Sequence, residues 1–178
     1  MLKRLATISS EIVHENPWWT YKHDTYTLPN GKVGDYYYGE QPGSVVILPI
    51  MDDGKIMLIR QFRYLHDRIS IEFPMGGKSK NESAEEAAHR EFLEETGMQA
   101  KEMINVSTFE PMNGRFRDQF YVFIARDIFG DGIPHFSTGE EIEMMYRRAD
   151  EIESMIQRGE ITDGPTLSSW ALVRHRLL

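Results

Sequence analysis

Residues 76 to 98 read GGKSKNESAEEAAHREFLEETGM, and this run constrains the chain more than any other. Gly76 is followed after five residues by Glu82, then after seven by Arg90-Glu91, Phe92, one free position, Glu94-Glu95, another free position, Gly97 and Met98. Glu91, Glu94 and Glu95 would be neighbours on a helix, where clustered carboxylates repel one another unless something positive sits among them. The fitting partner is a divalent magnesium or manganese ion, which prefers hard oxygen ligands. Any fold this chain adopts must therefore seat one acid-rich helix and leave its acids reachable.

That helix carries its own boundary signals. Ser83 with Glu86 three residues on makes a capping box, Gly97 suits the position just past the end, and helix formers fill Ala84 to Thr96. The stripe at i, i+4, i+7, i+11 reads Ala84, Ala88, Glu91, Glu95, with Met98 continuing it. A merely solvated acidic helix would set its acids opposite its small residues; here Glu91 and Glu95 share a face with alanines.

With every fixed position filled, the segment resembles the Nudix box, the signature of hydrolases acting on a nucleoside diphosphate linked to another group. The resemblance implies an α/β/α sandwich with a mixed β-sheet, a diphosphate held by metal on the box helix, and water attacking one of its phosphorus atoms. Glu72-Phe73-Pro74-Met75-Gly76-Gly77 enters the box as in ADP-ribose and nucleoside-diphosphate-sugar pyrophosphatases. That likeness implies metal ligands at Glu91, Glu95 and the Met75 carbonyl, and Arg90 among the catalytic residues. It sets Glu72 and Gly77 beside the substrate, where glycine lets backbone approach a phosphate closely. Arg60-Gln61-Phe62-Arg63 resembles a segment in which arginine touches substrate phosphates, a task the guanidinium fork suits. Strand alternation puts Arg63 on one face with Gln61 and Arg60 on the other, which favours Arg63; the alternative is that one of the two pairs with Glu72 or a surface acid. The tail from Gly139-Glu140-Glu141 onward resembles the ends of ADP-ribose pyrophosphatases, making Glu140 a further metal ligand. The matching general-base position falls on Thr138, which cannot take a proton, so Glu141, Glu94 and Glu95 remain candidates.

The remaining organisation is α/β. From Ile8 to Tyr38 polar and β-favouring residues alternate, with Asn30-Gly31 marking a hairpin, so residues 1–43 read as a small antiparallel β appendage and 44–178 as the hydrolase domain. Strands are expected over 44–51, KIMLIRQFR, 69–73, 100–109, 119–126 and 141–147, with helices over 149–158 and 166–178. Glu110-Pro111-Met112-Asn113-Gly114 reads as a turn. Trp18 and Trp19 would make a stacking platform for a nucleobase if exposed, or pack into an interface or core if not.

The 178 residues, 40% of them hydrophobic, fit one domain with an appendage. The longest apolar run, Val45 to Met51, is too short for a bilayer, and the N-terminus lacks a signal-peptide pattern. A net charge of −8 argues against nucleic-acid binding. The absence of cysteine agrees with a cytoplasmic enzyme, and His14, His23, His66, His89, His135 and His175 show no zinc spacing. The expected activity is Mg²⁺-dependent hydrolysis (Mn²⁺ substituting) of a nucleoside diphosphate sugar such as ADP-ribose. Nucleoside triphosphates or dinucleoside polyphosphates are the alternative substrates, and a non-catalytic ADP-ribose sensor, which should lose box acids, is a third reading. Residues 8 to 38 carry more aromatic surface than a hairpin can bury, and related enzymes pair through this segment, which together suggest a homodimer.

Overall fold

The structure is a computed structural model that describes residues 4–134 and 141–177. In chain order the strands and helices are β1 (Thr7–Glu15), β2 (Thr20–Thr27), β3 (Val33–Glu40), β4 (Ser44–Pro49), β5 (Ile56–Arg63), β6 (Arg68–Glu72), β7 (Met75–Gly77) and α1 (Ala84–Thr96). They continue as β8 (Met98–Phe109), β9 (Phe116–Arg117), β10 (Phe120–Gly130), β11 (Ile142–Arg147), α2 (Ala149–Gln157) and α3 (Gly164–Val173). The chain divides into two compact units, Met1–Pro42 with Glu110–Asp118, and Gly43–Phe109 with Gln119–Leu178.

The first unit is one four-stranded sheet ordered β1-β2-β3-β9. Its hairpin turns at Asn30-Gly31, where the Gly31 N–H donates to the Leu28 carbonyl at 2.9 Å. Residues 110–114, expected to form a turn, do so and lead into β9, which runs parallel to β3 with Gly39 opposite Phe116. The Phe116 ring lies where a side chain on Gly39 would be, 2.3 Å from an ideal Cβ, so only glycine admits it.

The second unit is a sandwich. Its central sheet, ordered β7-β4-β10-β8, mixes a parallel β4–β10 pair with antiparallel neighbours; β11-β5-β6 forms a second, antiparallel sheet. β4 is buried along its whole length, which is why SVVILP reads as a continuous apolar run rather than an alternating one. Val45 and Ile47 pack with Ala87, Ala88 and Phe92 of α1, whereas Val46 and Leu48 pack with Ile152 and Met155 of α2 and with Trp170 and Val173 of α3. Each such aliphatic side chain contributes about 1.5–3 kcal/mol of burial. This is the expected α/β/α layering.

α1 spans the predicted residues, with its capping box formed in both directions and Gly97 closing it in a left-handed conformation. Element ends differ from expectation by one or two residues, and by more at two places. β10 runs on to Gly130 because it stays paired with β8 as far as Met98. The last helix starts at Gly164, where Asp163 caps it, and ends at Val173 before a 3-10 turn over Arg174–Arg176.

Candidate active site

α1 delivers the acids, and the β6–β7 segment meets them. Glu95 is 8% exposed, and its Oε2 accepts the Met75 N–H at 2.9 Å. Burial holds this carboxyl well above the usual carboxylate range; the Met75 N–H works against that, and the neighbouring Glu91 adds to it. Glu91 lies against the backbone of Gly76, its Cδ 2.1 Å from where a Cβ would stand. Any larger residue at position 76 would displace the acid, which gives Gly76 a steric reason. Burial also raises the Glu91 carboxyl, partly offset by Arg90.

Arg90 is spent on holding this arrangement. Its Nε donates to Glu82 at 2.8 Å, Nη1 to Glu91 at 2.7 Å and to Glu94 at 3.2 Å, and Nη2 to the Gly77 carbonyl at 2.9 Å. One guanidinium thus ties both ends of the motif together, which is the geometric reason for the spacing from Glu82 to Glu94. Those bonds, led by the pair with Glu82, raise the arginine further above its already high value.

Arg63 and Glu72 form the other half. Glu72 is 1% exposed and receives both Arg63 Nε, at 2.8 Å, and Arg63 Nη2; the Gln61 amide adds a bond at 3.2 Å. This bidentate pair raises Arg63 above its ordinary value. Gln61, Arg63, Glu72, Met75, Glu141 and Asp163 line one open cleft of about 1010 Å³, at the upper end of the ~300–1,000 Å³ of ligand pockets. Arg60 points away, as alternation requires, and bonds Glu143 at 2.7 Å.

The structure therefore brings Glu91, Glu95, Arg90 and the backbone at Met75–Gly77 together, and sets Arg63, Glu72 and Glu141 along one cleft. Glu94 is half-exposed on the same helix. Glu140 and Thr138 lie outside the described residues. Trp18 and Trp19 belong to the first unit. Trp18 is 76% exposed, while Trp19 meets Tyr21 and Phe116 edge-on, with ring centroids at 6.4 and 6.1 Å. Asp163 and Thr166 escaped sequence reasoning; Asp163 caps α3 at the cleft wall, its carboxyl raised by burial. A capping Asp just before Gly-Pro was the available signal.

A family model described as the NUDIX domain matches residues 40–168. The chain belongs to the NUDIX family. It is an enzyme of that family, a Nudix pyrophosphohydrolase. A second model, described as the nucleoside diphosphate sugar hydrolase N-terminal domain, matches residues 6–38. The chain is 31% identical to an ADP-ribose pyrophosphatase of Bacillus subtilis over 140 residues, covering 78% of this chain and 76% of that protein. It is 27% identical to a GDP-mannose pyrophosphatase of Salmonella paratyphi B over 184 aligned positions, covering 94% and 93%. A crystal structure of an ADP compounds hydrolase superposes with a TM-score of 0.85 over 99% of this chain and 96% of that one; at 21% identity this shows the shared fold.

Nudix hydrolases generally depend on a divalent metal. Among the described residues, no three acidic or histidine side chains form a ready-made metal cage. Glu95 is a buried carboxylate bonded to a backbone N–H rather than to a cation, with Glu91 repelling it. This donor set fits a divalent ion.

Proposed function

We propose that this cleft hydrolyses the pyrophosphate bond of a nucleoside diphosphate sugar, ADP-ribose first among them, giving a nucleoside monophosphate and a sugar phosphate. The observation that carries the reading is the Glu72–Met75 segment, which lines the cleft with Arg63 and joins the arginine fork of β5, held on Glu72, to the buried α1 acid Glu95, held on the Met75 N–H, in a chain whose N-terminus matches the nucleoside diphosphate sugar hydrolase model. The names of the Bacillus and Salmonella relatives support the same substrate class.

Glu91 and Glu95, with the Met75 carbonyl and Glu140, would hold a divalent ion, Mg²⁺ with Mn²⁺ as substitute, which when bound would supply charge neutralisation of the diphosphate and polarisation at phosphorus. Arg63 supplies the positive charge of the chain itself. Glu72 occupies its Nε and Nη2, which leaves Nη1 free of Glu72 to meet a phosphate oxygen. Glu72 thus serves the substrate indirectly, since a carboxylate facing a diphosphate would repel it. Arg90 acts as a positioning residue for Glu91 and Glu94, and Gly77 by lending its carbonyl to Arg90. Water attacks phosphorus, the bridging oxygen leaves with the sugar phosphate or the nucleotide, and a carboxylate takes the water's proton. Glu141 is exposed and lines the cleft, which supports it as that base over Glu94 and over Glu95, whose oxygen is occupied by Met75.

We further propose a cytoplasmic homodimer that pairs through the first forty residues, with Trp18 and Trp19 near the nucleobase. The sheet edge supports it: β1 is exposed over all nine residues and displays Ile8, Ile12 and Val13. No helix among the described residues is long and apolar enough to cross a membrane.

Phosphate release in a phosphatase-coupled assay tests the substrate, across ADP-ribose, GDP-mannose, UDP-glucose, NADH and dinucleoside polyphosphates. The sugar-linked diphosphates should give the highest kcat/KM; a preference for dinucleoside polyphosphates would move the chain to another Nudix class. Light scattering should give twice the 20.7 kDa chain mass, and a monomer at micromolar concentration would refute the dimer.

A further inference from the structure

The segment Glu72–Met75 carries both halves of the site, because Glu72 sets the Arg63 fork and Met75 holds Glu95. Besides the strand pairing of Glu72 with Ile59 and of Met75 with Val46, three further hydrogen bonds fix it from outside. The Ile47 N–H donates to the Pro74 carbonyl at 2.8 Å, Glu95 accepts from Met75, and Thr166 Oγ1 accepts the Phe73 N–H at 3.1 Å. The first belongs to the central sheet and the second to the site. The third comes from α3, 93 residues further along the chain.

Thr166 is fully buried, and its placement is itself fixed. Its own N–H donates to Asp163 Oδ2 at 2.8 Å, so the cap that starts α3 also aims the threonine. Phe73 is fully buried too, packed near Trp170 of the same helix with ring centroids 6.4 Å apart. A buried N–H in that setting has no water to turn to if its acceptor is removed, so the backbone must move or stay unsatisfied. Either outcome acts one residue from Glu72 and two from Met75.

We propose that Thr166 is a positioning residue for the active site: through the Phe73 N–H it sets Glu72, and through Glu72 the Arg63 fork that meets the substrate's phosphate. The inference rests on the proposed role of Arg63, and it gives a reason for a closing helix whose start, Asp163-Gly164-Pro165, walls the cleft to turn the next residue, Thr166, inward onto Phe73. Thr166 touches neither substrate nor metal.

Thr166→Val and Thr166→Ala remove the acceptor, the first keeping the volume; Thr166→Ser keeps the hydroxyl. The metal-free protein supplies one readout. The Arg63 Nε–H, bonded to Glu72, should give a resolved, slowly exchanging ¹⁵N–¹H signal in the wild type and in Thr166→Ser. That signal, with the Phe73 amide's protection, should be lost in Thr166→Val and Thr166→Ala. The second readout is kinetic. Both acceptor-less variants should lose about tenfold in kcat/KM, mostly as a raised KM, at temperatures well below unfolding, and Thr166→Ser should return within about twofold. A retained Arg63 signal in Thr166→Val overturns the inference whatever the activity, and so does wild-type kcat/KM in a variant that is merely less stable. If Arg63→Ala leaves KM unchanged, the assigned role of Arg63 is what fails; the Arg63 signal still decides whether Thr166 holds the fork.

Discussion

In the first unit the titratable groups sit at the face of an open sheet. His23 lies between Glu11, at 2.9 Å, and Asp35, at 2.8 Å, and Lys22 and Arg117 share Glu40. The second unit has exposed pairs of the same kind, such as Arg148 with Asp150, but the acids of its site are inside the fold, with Glu72 at 1% exposure and Glu95 at 8%. The chemistry of the partners is alike and the consequence is not. Exposed pairs contribute about 0–1 kcal/mol each, and the first sheet uses them with ring stacking, such as His23 on Tyr37 at 4.3 Å, because its first strand buries nothing. Buried acids oppose folding unless paired, and they persist where chemistry needs charge in a dry place. The comparison teaches that clustered charge marks function in this chain only where the fold takes it out of water.

The sharpest way to break that contrast is Glu95→Gln. Turnover at saturating Mg²⁺ should fall by about 10³-fold or more, whereas the metal-free variant should unfold at a higher temperature than the metal-free wild type. The sign follows from burial. A carboxyl raised in the folded state stabilises only below its unfolded value, near ~4.3, and costs stability as pH rises. The gap between variant and wild type should therefore narrow on acidification. Wild-type turnover would remove Glu95 from the site.

Packing gives the next largest difference. Phe73→Ala empties a fully buried ring site and should cost about 3–5 kcal/mol. Tyr37→Ala, at 54% exposure in the first sheet, should cost about 0.5–1.5 kcal/mol. Chemical denaturation measures both, and comparable losses would mean the first sheet has a core of its own.

Arg63→Lys keeps a charge but not the fork onto Glu72. KM should rise by roughly 10–100-fold with little change in kcat. An unchanged KM in steady-state assays would leave the phosphate without its arginine.

The smallest effect should come from His23→Gln. Bonds from Glu11 and then Asp35 raise the His23 ring above its ordinary value. Its contribution is therefore fully present below the unfolded value of about 6.5 and lost as pH rises through the raised folded one. The variant's deficit in unfolding midpoint should be visible near neutrality and fade in alkaline buffer. A deficit that grows with pH would contradict the upward shift of the ring.

Much of this was open to reading because it is local. The capping box, the helix over Ala84–Thr96 and the shared face of Ala88 and Glu95 follow from spacing alone. The two-sided burial of β4 follows from its unbroken apolar run. Alternation along β5 separated Arg63 from Arg60, and the fold put them on different partners, Glu72 and Glu143. What the chain kept hidden was every contact between segments far apart in sequence. Nothing in Glu110–Asp118 says that β9 will join β3, and nothing near Phe73 says that Thr166 will accept its N–H. The face Glu95 shares with alanines argued against a freely solvated charge, but how deeply the carboxyl would be buried was not written in its neighbours. Hydrogen-bond spacing and side-chain periodicity are properties of a few consecutive residues, so the sequence determined the elements and the acids they carry. Desolvation and long-range pairing exist only once those elements close on one another, and that closure made the acids a site.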